Sequence, residues 1–436
     1  MSVIEQAVPD GYKLTEVGVI PNDWEVNEVS EAFEICNTLR FPLSAKVRES
    51  MAGEYPYYGP TRIQDYINEY RADGEYALIG EDGDHFLKFE TVPQTQLAKG
   101  KFNVNNHAHM IKGKIATAEW FYLFFRHREI TSHLSRQGAG RYKLNKATLE
   151  QLPCAIPPKE EQTAIANTLS DVDALLNELE KLITKKQATK TATMQQLLTG
   201  KTRLPQFANF TEGEKQGQTK GTKPSELGEI PEDWDVLLMD EVTDSLSSGA
   251  TPFRGNSSFY KGNNRWITSG ELKYGVINDT IEKISDEAIK RANLKVHQPG
   301  TFLMAITGLE AAGTRGSCGI VGMPATTNQS CMAIYPNKKL KSSYLFHWYV
   351  YNGEELALKY CQGTKQLSYT AGLLKTIPVL VPRNTDEQTI IATNLSDMDS
   401  EIQALEQRLA KTRQIKQGMM QELLTGRTRL PFKKES

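Results

Sequence analysis

Several stretches of this chain carry side chains that do chemistry in other settings, and spacing decides which of them can act. Asn105-Asn106-His107-Ala108-His109 places two imidazoles two residues apart, but a metal centre needs three or four ligands and no others stand nearby. The stretch reads as a turn whose Asn105, Asn106 and His107 side chains hydrogen-bond backbone, or face a nucleic acid, since amides and imidazoles can read base edges. Glu81-Asp82-Gly83-Asp84 lacks the ligand spacing and closing glutamate of a calcium loop and reads as a tight turn after a strand. Gly308-Leu309-Glu310-Ala311-Ala312-Gly313-Thr314-Arg315-Gly316 has no Gly-Lys-Ser/Thr ending, so it is not a nucleotide loop; Arg315 beside it is a candidate DNA contact.

Basic residues with aromatic or amide neighbours recur in three further places. Arg136, Gln137, Arg141, Tyr142 and Lys143 surround Gly138-Ala139-Gly140, and Lys365 and Gln366 follow Gly363 at a corresponding point later in the chain. Equivalent position with unequal residues is what two different base readers need. Arg254, Lys261 and Arg265-Trp266 form a third basic-aromatic group. There is no Asn/Asp-Pro-Pro-aromatic methyltransferase motif and no ATPase loop, so catalysis by this chain has nothing to rest on. Cys36, Cys154, Cys318, Cys331 and Cys361 show no Cys-x-x-Cys spacing and indicate neither a zinc site nor a disulfide framework.

A chain of 436 residues suggests two or more domains. Its formal net charge of −2 argues against a uniformly basic DNA-binding surface, so any DNA contact must be local or completed by a partner. No apolar run approaches a membrane span, and the first residues lack the basic-then-apolar pattern of a signal peptide, which leads to the expectation of a cytoplasmic protein.

The elements that would position these residues are set by a repeat. Glu161 to Pro205 recurs as Glu387 to Pro431 with about half its positions identical. In the first copy Ile165, Leu169, Val172, Leu176, Leu179, Ile183, Lys186, Lys190, Thr193 and Leu197 are spaced alternately four and three apart, which is a heptad seam. The second copy keeps it as Ile391, Leu395, Met398, Ile402, Leu405, Leu409, Thr412, Lys416, Met419 and Leu423. Parallel pairing would set Lys190 against Lys416. Antiparallel pairing sets Lys186 against Ile402, Lys190 against Met398, Thr193 against Leu395 and Lys416 against Val172, so no like charges meet. An antiparallel pair of helices, each about 60 Å long, is therefore predicted. Pro157-Pro158 and Thr385-Asp386 mark the helix starts, and Gly200 and Gly426 the ends.

A second echo precedes each body: Thr15 to Trp24 resembles Ser225 to Trp234. Each half thus runs lead-in, body, helix, and a polar connector joins the halves. The bodies share only their last stretch. Short β-prone runs (Tyr76 to Ile79, Thr301 to Met304, Cys331 to Tyr335) alternate with helical ones (Glu119 to Leu134, Ser342 to Lys359), which predicts mixed α/β bodies.

The Pro-x-x-x-Glu-Gln helix start (Pro157 to Gln162, more loosely Pro382 to Gln388) and the Leu-Leu-Thr-Gly end make the chain resemble the specificity subunit of type I restriction-modification enzymes over nearly its whole length. Tyr55-Pro56-Tyr57-Tyr58-Gly59, Leu78 to Gly83 and Asn105 to His109 in the first body, and Trp266 to Leu272 with Thr327-Asn328-Gln329-Ser330 in the second, resemble two different classes of recognition domain. The resemblance implies a non-catalytic DNA reader with target recognition domains at 1–157 and 224–382, helical spacers at 158–204 and 383–436, and a connector at 205–223. The two α/β domains would be held apart by an antiparallel two-helix coiled coil with a pseudo-two-fold, and the target would be bipartite and asymmetric. Two modification subunits bringing S-adenosylmethionine, and two restriction subunits bringing ATP and Mg, would be the partners, with no cofactor or metal on this chain. The alternative is a coiled-coil scaffold whose two bodies bind proteins. On the first reading, a heptad inserted in each helix, between Ile183 and Thr193 and between Leu409 and Met419, lengthens the spacer between half-sites.

Overall fold

The computed structural model describes residues 8–137, 141–309, 314–361 and 367–431. The chain divides into two compact units, Met1–Glu180 with Arg408–Ser436, and Lys181–Gln407.

In the first unit a six-stranded sheet runs in the order Phe33–Ile35, Ala108–Gly113, Ala72–Gly80, Thr95–Val104, Ala52–Tyr58, Ile63–Ile67. The Tyr76–Ile79 run is continuously apolar because both faces of this strand are covered. Ala77 and Ile79 join one core with Phe33, Trp120 and Phe121, while Tyr76 and Leu78 join another with Phe102 and Met110. That is the period-two alternation of a strand buried on both sides.

The helix expected over Glu119 to Leu134 is shorter, Ala118–Phe125. It starts where Thr117 Oγ1 accepts the Trp120 amide at 3.0 Å, a cap worth about 1 kcal/mol. At its end Gln94 takes up the carbonyl of its last residue and two just beyond it. The Gln94 amide side chain donates to Phe125 O (3.2 Å) and Arg128 O (2.6 Å), and its backbone N–H donates to Arg126 O (3.0 Å).

In the second unit a five-stranded sheet (Thr243–Ser248, Cys331–Pro336, Phe302–Ala305, Cys318–Val321, Gly275–Ile277) accompanies a three-stranded one (Lys283–Ile284, Asn264–Ile267, Ala325–Thr327). The helix Ser342–Tyr360 buries Tyr344, Leu345, Trp348 and Tyr349 in the main core. The connector is partly ordered into a short helix, Pro205–Ala208, and an Asn209/Thr219 bridge.

Both repeated stretches are single helices, Lys159–Leu198 and Thr385–Leu423. Every predicted seam position in them is buried or half-buried. Pairing is antiparallel within each unit: Lys416 reaches Asp173 and Arg413 reaches Glu180 (2.6 Å) in the first; Lys190 reaches Asp399 and Lys186 reaches Glu401 (2.7 Å) in the second. Each seam lysine ends on a carboxylate one position from the residue predicted opposite it: Lys190 on Asp399 beside Met398, Lys416 on Asp173 beside Val172 and Lys186 on Glu401 beside Ile402. The start of the second helix is capped by Asn384, whose Oδ1 accepts the Asp386 amide at 2.8 Å, rather than by Thr385-Asp386.

The helix ends meet the lead-in segments in the same way in both units. Gly426 and Gly200 have φ of +69° and +70°. A Cβ there would stand 2.5 Å from the ring of Pro21 or Pro231. Three residues on, Arg429 forks onto Asp23 (2.8 and 2.9 Å) and onto Glu161 (2.6 and 2.8 Å). Arg203 does the same with Asp233 (2.7 and 3.0 Å) and Glu387 (both 2.8 Å). The indole N–H of Trp24 donates to Glu161 (2.9 Å) and that of Trp234 to Glu387 (3.2 Å). Gln162 and Gln388, next in sequence, donate to Pro157 O and Pro382 O, at 2.9 and 2.8 Å.

Candidate nucleic-acid interface

Four loops of the first unit meet at one end of its six-stranded sheet. The Glu81 amide donates to His107 O and the Leu144 amide to Glu81 O, each at 2.8 Å, and Asp82 bridges Lys143. The candidates Asn105, Asn106, His107, Tyr142 and Lys143 are therefore neighbours. Arg136, Gln137 and Arg141 lie on the same hairpin, where Ser135–Gln137 pairs Arg141–Lys143 with Arg136 opposite Tyr142.

Side chains knit these loops together. Arg40 donates to Glu81 Oε2 (2.9 Å) and to Asn106 O (3.0 Å), while Lys143 Nζ lies 3.5 Å from Glu81 Oε1. His107 Nδ1 stands 3.2 Å from Asp82. Asn105 is only 6% exposed, and its amide is spent on the His107 N–H (2.9 Å) and on Gln64 (3.3 Å), so it shapes the turn. Asn106 and His107 are the exposed members. His109 is buried between Asn37 and Leu144 O, both at 2.8 Å, and burial holds its pKa below the ordinary imidazole value. Both of its ring nitrogens are committed. Gly83, at φ +139°, makes the tight turn expected of Glu81-Asp82-Gly83-Asp84.

In the second unit Arg254, Lys261 and Arg265 belong to the small subdomain cored by Phe259, Trp266 and Ile284. The Arg254 guanidinium lies over the rings of Tyr260 (4.3 Å) and Trp266 (5.2 Å) and forks onto Glu282 at 2.6 and 2.8 Å. That fork holds the Glu282 carboxyl below the usual carboxylate range. Arg265 donates to Asn278 O (2.8 Å) and lies 3.3 Å from Asp279; Lys261 is exposed. Arg315 sits apart from them, donating to Leu309 O (3.2 Å), with Glu354 at 3.9 Å. Lys365 and Gln366 fall outside the described residues.

Sequence reasoning missed Arg40, took Glu81 only as part of a turn, and did not single out Asp279, Glu282 or Glu354, the other carboxylates beside candidate cations. It also passed over Gln329, exposed, whose Oε1 accepts the Thr251 hydroxyl at 2.5 Å. In the second unit Ser269, Lys273, Tyr274, Thr307, Thr314 and Ser317 line an open pocket of about 280 Å³. A signal was available for Gln329, which falls in the Thr327 to Ser330 run, and for Glu81, which falls in the Leu78 to Gly83 run, since both runs carry part of the resemblance. Among the described residues no group of three or more His, Cys, Asp or Glu is placed to hold a metal, and no helix is long and apolar enough to cross a membrane. All five cysteines are free thiols.

A family model for the type I restriction modification DNA specificity domain matches residues 21–190 and 231–416. The chain is similar to the putative type I restriction enzyme MjaX specificity subunit of Methanocaldococcus jannaschii, 26% identical over 454 aligned positions and 97% of each chain. The MjaVIII specificity subunit of the same organism is 25% identical over 94% of each chain. The putative specificity subunit S.HindORF215P of Haemophilus influenzae is 38% identical over 155 residues, 35% of this chain and 38% of that one. Among solved structures, the type I restriction-modification S subunit from M. genitalium aligns with a TM-score of 0.58 at 13% identity, over 97% of this chain and 99% of that chain. At that identity the likeness is one of fold.

Proposed function

The chain belongs to the type I restriction modification DNA specificity family, and from that premise we propose that each α/β body reads one half of a bipartite, asymmetric duplex target. The chain is the non-catalytic, sequence-specific DNA recognition subunit of its system. Adenine methylation and cleavage then belong to partner subunits: two modification subunits carrying S-adenosylmethionine and, in the full complex, two restriction subunits using ATP and Mg, all in the cytoplasm. The observation that carries this reading is the contrast between frame and body. The Gly/Pro, Arg/Asp/Glu and Trp/Glu contacts recur in both units, whereas the sheets they support differ in strand number and order. Two unlike readers on one frame give an asymmetric target.

The test is a heptad insertion. Antiparallel pairing decides where it must go: the residues opposite Ile183–Thr193 are Leu395–Leu405, as the Lys186/Glu401 and Lys190/Asp399 pairs mark. An insertion between Leu409 and Met419 would instead face Leu169–Leu179 and leave the intervening seam one heptad out of step. Seven residues added at each matched level extend the helices by about 10 Å, roughly three base pairs. Mapping methylated adenines in the host genome should show a spacer about three base pairs longer with both half-sites unchanged. Affinity should fall, because three base pairs also turn one half-site by about 100° relative to the other. Altered half-sites with an unchanged spacer would overturn the reading and favour a scaffold role for the helices.

A further inference from the structure

We propose that Glu81 in the first body and Glu282 in the second are positioning residues that hold the DNA-facing cations in the unbound protein and so suppress binding to non-target duplex. The inference rests on the DNA-reading assignment above and adds to it a reason for the charge balance of the chain.

Of the five candidate cations whose side chains are described, four lie within 4 Å of a carboxylate: Lys143 with Glu81 (3.5 Å), Arg254 with Glu282 (2.6 Å), Arg265 with Asp279 (3.3 Å) and Arg315 with Glu354 (3.9 Å). Lys261 is exposed. The Arg254/Glu282 pair is 55% and 37% exposed, and a pair so screened by water adds little to folding. Its geometry is nonetheless tightly set, with both oxygens engaged and the guanidinium laid over two rings. Glu81 goes further. It is one-fifth exposed, draws in Arg40 and Lys143 together, and its backbone joins two of the loops that carry the candidate readers.

A phosphate that approaches such a cation has to displace a carboxylate already in place. On non-target DNA little is gained in exchange, because phosphate contacts carry no sequence information. On the target, hydrogen bonds to base edges offset the exchange. The carboxylates therefore lower sequence-independent affinity more than specific affinity. They also keep Arg40 and Lys143 directed toward the loops instead of free to track any backbone. A net charge of −2 is then part of how discrimination is achieved rather than an obstacle to it.

The experiment compares Glu81→Gln and Glu282→Gln with Glu25→Gln, an exposed strand position away from these loops that changes net charge equally. The full chain, assembled with its modification subunits, is titrated with a non-target duplex and with the mapped target duplex across a fourfold range of salt. Each released cation steepens the dependence of log affinity on log salt by about 0.9. Glu81→Gln should steepen the non-target slope by one to two such steps, and Glu282→Gln by one, so target-to-non-target discrimination falls about fourfold or more at the low-salt end. Methylation profiles should relax in one half-site for Glu81→Gln and in the other for Glu282→Gln. A merely structural role would lower melting temperature without steepening the slope. Slopes equal to that of Glu25→Gln, in variants that still fold, would overturn the inference; if Glu81→Gln does not fold, the exposed Glu282→Gln decides. Absence of target preference in the unsubstituted complex would instead overturn the DNA-reading assignment itself.

Discussion

Replacing Arg429 with alanine is expected to destabilise the first unit by about 3 to 5 kcal/mol, the cost of leaving a buried carboxylate without its partner. Glu161 is fully buried and takes three of its hydrogen bonds from outside its own helix, two from Arg429 and one from the Trp24 indole. Remove the guanidinium and of these three hydrogen bonds only that from the indole remains. Hydrogen exchange read by mass spectrometry should show lost protection at residues 8–180 and 408–431 and little change at 181–407. Adding Glu161→Gln to Arg429→Ala should recover a large part of the loss, because a neutral amide costs far less to bury and can still accept from Trp24. A loss below 1 kcal/mol, or no recovery in the double variant, would show that Glu161 is not held by this fork. Arg203→Ala should produce the mirror result, confined to 181–407, through Glu387 and Asp233.

Acidification from pH 6.5 to 4 is expected to weaken the second unit through two buried histidines. His297 and His347 are each 1% exposed, and burial, with Lys295 and Lys190 nearby, lowers their pKa values from 6.5 to about 4. Neutral His297 is held between the Tyr335 hydroxyl (2.6 Å) and Thr327 (3.2 Å); His347 pairs with Ser396 at 2.9 Å. In this window the unfolded chain binds protons that the folded chain refuses. Their contribution is therefore complete above about pH 6.5, declines as pH falls, and levels off below about pH 4. At 1.36 kcal/mol per unit, each histidine accounts for at most roughly 3 kcal/mol. The salt-bridged Asp235, held at about 2 chiefly by Arg383, acts at lower pH, since its contribution is lost only as pH falls from 3.8 toward 2. Denaturant midpoints at pH 7 and pH 4.5 measure the effect, and His347→Gln should flatten the difference. An unchanged midpoint in the unsubstituted protein would mean that these imidazoles are protonated in place.

The seam was legible because heptad spacing states which residues face a partner, and the three seam lysines then chose the direction of pairing. What the lysines do at the interface was not legible: Asp173, Asp399 and Glu401 are ordinary surface acids until the partner helix sets a lysine beside them. The same holds for the junction. Asp23-Trp24, the Glu-Gln helix start and the Arg after Leu-Leu-Thr-Gly all repeat visibly, yet nothing in the repeat says that the three converge, since Arg429 and Asp23 lie 406 positions apart. The carbonyl at the helix end, Phe125 O, is taken up by Gln94, thirty-one positions earlier. In the candidate interface, local composition pointed to the basic and amide residues. Arg40 and the carboxylates at Glu81 and Glu282 needed the fold, because each acts through a residue 28 or more positions away.

The Arg429/Glu161 fork also has a bearing on the order in which the protein can be made. A ribosome adds about 5 to 20 residues per second, so the first helix half, complete at Glu180, waits roughly 10 to 50 s before its partner from Arg408 onward emerges. During that interval Ile165, Leu169, Val172 and Leu176 lack their facing residues, and Glu161 has lost its arginine. The second unit needs nothing beyond Gln407 and can close as soon as it is synthesised. The N-terminal unit of this chain is thus the last to finish folding, and a nascent chain that stalls or is cut near its C-terminus leaves the earliest-made unit open while the later one is whole.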